Sequence, residues 1–331
     1  MRVFVTGGNG FIGSAVVRDL VAAGHHVVCL LRATSRTERI DGLPFERVAG
    51  DVRDADSVRA GMRGCGATLH LAAPGTWDKD EESMLRDVIE GGTRNVLGAA
   101  REIPGHRVVL VSSTAAINAS DTPQVFDEES SFTLRDATLG YAHAKYRAEL
   151  LAHQAHADGL AVVIVNPGEV YGPNDTALGT ASNLIDLATS RPVLVCHGGT
   201  NVVHVADVSA GILSAMQRGR VGERYVLGGE NVTIRQLAEL VLELVRRRAT
   251  IVSVPNGLAR LVSRVAIRVH IPVGFNPHVV PYATRYWFVD NAKARRELGV
   301  TFRDARETIG STLNWLEQSG YIRIRGARPL P

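Results

Sequence analysis

Cysteine is scarce in this chain of 331 residues, and its three copies, Cys29, Cys65 and Cys196, lack the spacing of a metal site. Because they are scattered and odd in number, we expect reduced thiols in a cytoplasmic protein rather than a disulfide framework. The formal net charge is only +3, and no block of lysines and arginines is interleaved with aromatic residues. A nucleic-acid partner and a bound metal are therefore not expected.

Long apolar runs are also missing, so we expect no integral membrane segment. The chain starts with a strand-like stretch, Arg2–Val5, and not with a charged and then apolar leader, so no signal peptide is expected. Apolar residues make up 45% and charged residues 21% of the chain, as in ordinary globular proteins. Its length suffices for one large domain or two lobes.

Short β-branched runs alternate with helical patterns in the first half of the chain. We predict strands at 3–6, 27–31, 47–49, 67–71, 106–112 and 161–166, and helices through 16–20 and at 54–62, 83–101 and 141–156. Strands separated by helices imply right-handed crossovers and a parallel sheet covered on both faces. Residues 108–111 are apolar at every position, as in a strand buried on both faces. The predicted fold class is α/β, a Rossmann-type doubly wound parallel sheet.

A glycine-rich turn, Thr-Gly-Gly-Asn-Gly-Phe-Ile-Gly at 6–13, joins the first strand to the first helix. In such a turn the first glycine permits the tight bend, the second lets the backbone approach phosphate, and the third lets the helix pack on the strand. A helix N-terminus offers N–H groups and partial positive charge to an anionic pyrophosphate. The residues predicted to bind a dinucleotide here are Gly7, Gly10, Phe11, Ile12 and Gly13.

The end of the second strand distinguishes the two nicotinamide cofactors. An acidic residue there binds the ribose 2′-hydroxyl of NAD, whereas arginine accommodates the 2′-phosphate of NADP. Arg32 and Arg36 occupy this stretch, and the first acidic residue after the second strand is Glu38. We therefore favour NADP(H) and keep NAD(H) as the alternative. Further predicted cofactor contacts are Asp51 and Val52 near the adenine, and Leu71, Ala72 and Ala73 after the fourth strand.

Tyr141 and Lys145 lie four residues apart, so both side chains project from one helical face. A free tyrosine has a pKa of about 10, and a neighbouring ammonium and a nicotinium cation would favour its phenolate. Lys145 is also placed to bond the nicotinamide ribose. The fifth strand closes with hydroxyl residues that can hydrogen-bond a substrate oxygen; we choose Thr114, with Ser113 as the alternative. Trp77 and Tyr171 are predicted on loops, either as walls of the substrate pocket or as exposed packing aromatics.

With these motifs in this order, the chain resembles the extended short-chain dehydrogenase/reductase family over nearly its whole length. Within it, the likeness is to the dihydroflavonol-reductase-like branch, which includes proteins called hopanoid-associated sugar epimerases. The matching segments are the glycine turn, 70–73, 112–114, Tyr141 with Lys145, 166–173, 203–208, 223–231 and 288–293. The segment at 166–173 supplies the predicted cofactor residues Pro167, Gly168 and Val170 and the predicted substrate residue Glu169.

The resemblance implies a Thr-Tyr-Lys mechanism, a homodimer and a C-terminal substrate lobe. We predict a dinucleotide-binding domain at 1–166 and a mainly substrate-binding lobe at 167–331, with some segments returning to the first domain.

One residue and two short segments depart from related enzymes. Ile89 replaces a frequent asparagine, Ala115-Ala116 replaces the Asp-Glu pair of dehydratases, and Thr200–Val203 lacks the Arg-Asp pair of sugar-nucleotide epimerases.

Our leading prediction is an NADP(H)-dependent oxidoreductase that interconverts a carbonyl and a secondary alcohol on a small or lipophilic metabolite. The alternatives are a sugar-nucleotide epimerase that retains its cofactor and a nicotinamide-sensing protein without turnover.

Arg260, Arg264 and Arg268 recur every four residues among apolar residues, which predicts an amphipathic basic helix. We favour a solvated face for it, with an anionic or acyl substrate or a membrane surface as alternatives.

Overall fold

Seven parallel strands form the central sheet of the computed structural model, which describes residues 1–74, 82–269 and 277–324. The described residues contain these seven strands and seven more that form smaller sheets, in chain order β1 (Arg2–Thr6), β2 (His26–Leu31), β3 (Phe45–Ala49), β4 (Ala67–His70), β5 (Arg107–Val111), β6 (Val125–Phe126), β7 (Ala161–Pro167), β8 (Glu169–Tyr171), β9 (Val193–Cys196), β10 (Gly199–His204), β11 (Arg224–Leu227), β12 (Glu230–Thr233), β13 (Ile251–Val254) and β14 (Phe288–Val289). The order across the sheet is β3-β2-β1-β4-β5-β7-β11. The predicted α/β doubly wound fold is confirmed.

Helices connect these strands. They are α1 (Phe11–Ala22), α2 (Ala55–Met62), α3 (Glu82–Leu85), α4 (Gly92–Arg101), α5 (Gly140–Ala157), α6 (Ala181–Thr189), α7 (Val205–Arg218), α8 (Ile234–Leu244), α9 (Asn256–Val269), α10 (Val280–Ala283) and α11 (Ala305–Gln318). A 3₁₀ turn covers Thr114–Ala116, and π-helical segments cover Arg86–Gly91 and Ala294–Leu298. None of the helices in the described ranges is long and apolar enough to cross a membrane.

Alternate residues of each central strand enter two different cores. In β1, Val3 and Val5 face the core that α1 and α7 cover, whereas Phe4 faces the core under α2, α4 and α5. The strand β5 divides in the same way, with Val109 on the first side and Val108 on the second. Because both faces are covered, apolar residues at every position of these strands are buried.

The strand order reverses at β1, which pairs with β2 on one side and β4 on the other. Chains leaving two such strands diverge to opposite faces of the sheet and open a crevice at the carboxyl edge, where doubly wound proteins bind ligands. Gly7 follows β1 and Leu71 follows β4, so both predicted cofactor segments begin at this crevice.

The long helix predicted at 83–101 is present, but its middle is a π-helical segment, Arg86–Gly91. Gly92 begins α4 directly after it, and a β-carbon at Gly92 would lie 2.8 Å from a Val52 methyl. The Asn95 amide also donates to the Val52 carbonyl, at 3.0 Å. Gly92, one of the two glycines that weaken the helical pattern, therefore allows the helix to pack closely on the loop after β3.

Segments beyond residue 166 contribute to the central sheet as well as to a separate layer. The strand β11 pairs with β7, and α7 packs against α1. By contrast, α6, α8 and α11 enclose a core of their own together with Tyr171 and Val202. The domain boundary at residue 166 stays a prediction.

Candidate active site

The glycine turn lies against the backbone at the end of β4. Gly7 adopts φ = 73°, in the left-handed region, and a β-carbon there would lie 2.8 Å from the Ala72 nitrogen. The Gly10 N–H donates to the Gly7 carbonyl at 3.0 Å, which closes the turn. A β-carbon on Gly13 would overlap that same carbonyl oxygen. Gly7 and Gly13 therefore lie where a side chain would collide with backbone, and a β-carbon on Gly10 would lie a tight 3.2 Å from the Gly7 carbonyl oxygen.

The first turn of α1 is electropositive. Gly10 is the N-cap and provides no side-chain cap, and no acidic residue occurs in the first turn. The backbone N–H groups that begin α1, at Phe11, Ile12 and Gly13, have no helical acceptor, because a helix leaves its first N–H groups unpaired. The helix dipole adds partial positive charge at the same place. This cradle fits the pyrophosphate of a dinucleotide.

A buried histidine holds the crevice together beneath the turn. His70 shares hydrogen bonds with Thr6 at 2.7 Å and Thr93 at 3.2 Å, so it links β1, β4 and α4. Burial, assisted by the positive charge of Lys145, lowers the pKa of His70 to about 3. The ring is therefore neutral at physiological pH, and its part in the site is positional.

Arginines surround the predicted adenosine end. Arg32 and Arg36 are exposed after β2, and the Arg36 carbonyl accepts a 3.0 Å hydrogen bond from the Asn9 amide of the glycine turn. Asp51 is already paired, since Arg53 donates to both of its carboxylate oxygens at 3.0 and 2.8 Å. These bonds with Arg53, and to a smaller extent the charge of Arg32, hold the pKa of Asp51 below its usual range.

Arg39 belongs to the same region but is not among the predicted residues. Its guanidinium donates to the Asn9 carbonyl at 3.3 Å and to the Asn174 carbonyl at 2.9 Å. It thus joins the glycine turn to the loop after β8. The run of arginines at 32, 36 and 39 is a signal that could have identified it.

The α5 helix brings Tyr141 and Lys145 to the end of β5, as predicted. Lys145 is buried, its ammonium donates to the Val111 carbonyl at 2.9 Å, and it lies 5.8 Å from the centroid of the Tyr141 ring. Burial lowers the pKa of Lys145 to about 8, and the nearby Glu149 carboxylate opposes this shift.

Burial raises the pKa of Tyr141 to about 12, and a hydrogen bond with the Ser113 side chain opposes the rise. Tyr141 is therefore protonated at neutral pH in this structure. The hydroxyl that interacts with Tyr141 is that of Ser113, which was the alternative choice. Thr114 is buried at the start of the 3₁₀ turn, and the Ser113 side chain also accepts from the Ala115 N–H at 3.2 Å.

A buried polar network formed by Glu149, Asn166 and Arg224 contacts the backbone just after β5. The Glu149 carboxylate accepts a 2.6 Å hydrogen bond from Asn166 and a 3.3 Å bond from Arg224. The Asn166 amide also donates to the Ser113 carbonyl at 2.9 Å, which fixes the backbone that carries the hydroxyl. The sequence reasoning missed Glu149 and Arg224. Glu149 follows Lys145 by four residues, and that helical spacing was the available signal.

An apolar and aromatic wall lies beside Tyr141. Ala115, Ala142 and Trp287 pack there with Tyr282, whose ring stacks on Trp287 with 5.5 Å between centroids. The indole N–H of Trp287 donates to the Tyr282 carbonyl at 3.0 Å, which holds the two together. The sequence reasoning did not identify either aromatic, because they come from a segment about 140 residues further along the chain.

Other predicted substrate residues lie elsewhere. Tyr171 is the last residue of β8 and not part of a loop; it is fully buried, and its hydroxyl donates to Glu169 at 2.8 Å. The prediction that it walls a pocket is therefore wrong for this structure, because the ring fills the core shared by α6, α8 and α11. Glu169 also accepts a 2.9 Å bond from Asn183. Trp77 lies outside the described residues.

The segment after β7 packs tightly on β10. A β-carbon on Gly168 would lie 2.5 Å from the Asn201 side-chain oxygen, and Val170 is buried in the core under α1 and α7. Asn201 is itself buried, donates to Asn231 at 2.8 Å and accepts from the Gly229 N–H at 2.8 Å. Where sugar-nucleotide epimerases have a diphosphate-binding pair, this chain therefore has a structural amide.

Comparison with known proteins gives the family. The sequence model of the NAD dependent epimerase/dehydratase family matches residues 3–228. A protein assigned as a dihydroflavonol 4-reductase from Synechocystis sp. is 34% identical over 97% of this chain and 96% of its own. The 4-hydroxy-2-methyl-3-oxo-4-farnesyl-3,4-dihydroquinoline-1-oxide ketoreductase of Stigmatella aurantiaca is 33% identical, with 97% of each chain covered.

Among solved structures, the crystal structure of gox2253 superposes with a TM-score of 0.83 and 31% identity, over 97% of this chain and 99% of that one. The chain belongs to the NAD-dependent epimerase/dehydratase family, within the extended short-chain dehydrogenases/reductases. It is an NAD(P)-dependent oxidoreductase of that type, as predicted.

The first prediction concerns the glycine turn. Gly13→Ala should weaken dinucleotide binding by at least about tenfold and lower the melting temperature, because its β-carbon would displace the Gly7 carbonyl. Isothermal titration with NADPH and NADH, together with thermal unfolding, measures both effects. The matched control is Gly98→Ala in α4, where a β-carbon meets nothing within 4 Å and should leave stability equal or about 0.4–1 kcal/mol higher. Equal binding by the two variants would contradict the assigned role of the turn.

Proposed function

We propose that the protein is an NADP(H)-dependent ketoreductase that reduces a carbonyl to a secondary alcohol on a lipophilic metabolite. The observation that carries the proposal is Tyr141, a partly buried and protonated phenol at the carboxyl edge of the sheet that hydrogen-bonds with Ser113. A carbonyl that gains hydride also needs a proton, and a protonated phenol beside it is the group that supplies one.

The dinucleotide supplies the hydride when it is bound. The Gly7–Gly13 turn would hold its pyrophosphate, and Lys145 would lie near its nicotinamide ribose. Ser113 would hold the substrate oxygen and Tyr141 would donate a proton to it. Thr114, our first choice for the hydroxyl, remains the alternative to Ser113.

A lipophilic substrate is supported by the surroundings of Tyr141. Ala115 and Ala116 carry no acid-base groups, and Tyr282 and Trp287 form an apolar wall. Apolar walls with a few converging polar groups are typical of sites that bind small apolar ligands. The Stigmatella relative is named for a farnesyl-bearing substrate, which favours the same class here.

NADP(H) is the finer part of the proposal, and exposed Arg32 and Arg36 support it. Homodimerisation and a cytoplasmic location remain predictions that accompany the proposal.

Tyr141→Phe should lower reduction of lipophilic ketones by about 10²- to 10⁴-fold, because it removes the proton donor while leaving the ring. NADPH affinity should stay within about twofold, since the cradle is elsewhere. Loss of NADPH absorbance measures turnover. The matched control is Tyr146→Phe, because Tyr146 lies further along the same helix than Tyr141 and its ring stacks on Phe132. Full activity in Tyr141→Phe would exclude the proposal, and turnover of a sugar nucleotide without NADPH loss would favour the epimerase alternative.

The roles of Ser113 and Thr114 separate in the pH profile of alcohol oxidation. Oxidation needs the phenolate, so its rate rises as pH approaches the pKa of Tyr141. The Ser113 hydrogen bond lowers that pKa. Ser113→Ala should therefore move the rising limb to higher pH, by about 0.7 of a pH unit for a bond worth about 1 kcal/mol. The control Thr114→Val should leave the limb in place; the reverse pattern would assign the hydroxyl to Thr114.

Cofactor choice is tested with Arg32→Glu/Arg36→Glu. Two reversed charges should raise the Kd for NADPH by about tenfold or more through repulsion of the 2′-phosphate. The Kd for NADH, measured on the same variant, should change far less and serves as the internal control. A parallel loss of both affinities would show that these arginines do not distinguish the cofactors.

A further inference from the structure

The α9 helix carries an unusual outer face. Its exposed apolar side chains recur at spacings of three and four residues, so they share one side of the helix. They are Leu258, Leu261, Val262, Val265 and Val269, each between 37 and 58% exposed. Large apolar side chains therefore occupy the side of the helix that faces away from the protein, next to the exposed arginines of the predicted basic face.

The opposite side of α9 attaches the helix to the protein. Ala259, Ser263 and Ala266 are buried there, and the Ser263 hydroxyl donates to the Pro277 carbonyl at 2.6 Å. Arg260 donates to the Thr284 hydroxyl at 2.8 Å and to Asp121 at 2.6 Å. The buried positions of the helix are thus small residues, whereas the large apolar residues of its outer face stay 37–58% exposed.

Positive charge borders the apolar face. Arg264 and Arg268 are exposed and, within the described ranges, form no ion pair, unlike Arg260. The helix contains no acidic residue. If a second copy covered this face through a two-fold axis, its arginines would meet like charges in a desolvated contact. An anionic surface would instead pair with both arginines while the apolar side chains leave water.

We propose that α9 is an interfacial helix that docks the protein on an anionic lipid bilayer. Fourteen residues of α-helix measure about 21 Å, less than the roughly 30 Å of a bilayer core, so the helix would lie in the membrane surface and not cross it. Apolar insertion with flanking arginines is the arrangement that holds such helices at the interface. The docking is independent of catalysis and would persist in an inactive enzyme.

Docking would also place the active site near lipid. Arg260 of α9 bonds Thr284, directly after α10, and α10 carries Tyr282 of the wall beside Tyr141. The lobe segment that contacts the membrane is therefore the one that flanks the catalytic tyrosine.

Co-sedimentation of the full-length protein with vesicles tests the proposal. Binding to phosphatidylcholine vesicles that contain phosphatidylglycerol should exceed binding to phosphatidylcholine alone by at least about tenfold, and added salt should weaken it. Equal binding to both vesicles, or binding to neither, would overturn the proposal.

Variants locate the contact. Leu261→Ser/Val265→Ser and Arg264→Glu/Arg268→Glu should each lower partitioning into the anionic vesicles by about tenfold or more. The first control is Leu150→Ser/Val221→Ser, which alters a leucine and a valine that are 48 and 40% exposed. The second is Arg63→Glu/Arg248→Glu, which makes the same change in net charge at exposed arginines elsewhere. Unchanged thermal unfolding and NADPH affinity would confirm that the α9 variants are folded.

Two results would reject the assignment. If the control variants lose as much binding as the α9 variants, the attraction is not specific to α9. If the α9 variants change the molar mass in solution while vesicle binding persists, the face is a contact between copies of the chain.

Discussion

The close contact between the glycine turn and the end of β4 is the constraint on which the rest of the site depends. Gly7 approaches the Ala72 backbone so closely that no side chain fits between them. This contact holds the turn against the end of β4, and α1, which follows the turn, therefore begins with its electropositive N-terminus at the crevice. His70, neutral because it is buried, joins the same strands to α4 from beneath.

The catalytic end of the crevice depends on a second contact, between α5 and β5. The Lys145 ammonium is buried, and its hydrogen bond to the Val111 carbonyl compensates part of the cost of desolvation. On the same helix, the Tyr141 phenol hydrogen-bonds with Ser113. Burial raises the pKa of Tyr141 and the Ser113 hydroxyl opposes the rise; the expected lowering of this pKa by the ammonium and a bound nicotinium cation stays a prediction.

How well each residue could be predicted depended on how local its signal was. The turn residues and the Tyr141–Lys145 pair follow from spacing within one element, and they lie where the sequence places them. Tyr171 was misplaced because a single aromatic residue after a strand has no pattern that separates a pocket wall from a buried core. Tyr282 and Trp287 were missed because their approach to Tyr141 is a contact between distant segments.

By itself, the sequence determined the alternating strands and helices, the glycine turn, the helical face of Tyr141 and Lys145, and the basic periodicity of α9, since these are repeats within short stretches. Only the tertiary structure decided which hydroxyl meets Tyr141, what lies beside it and which face of α9 is exposed. These three features depend on how several elements pack together. A periodic pattern in the sequence predicts that a helix has an apolar and a basic face, but it does not predict which side of the helix packs against the protein.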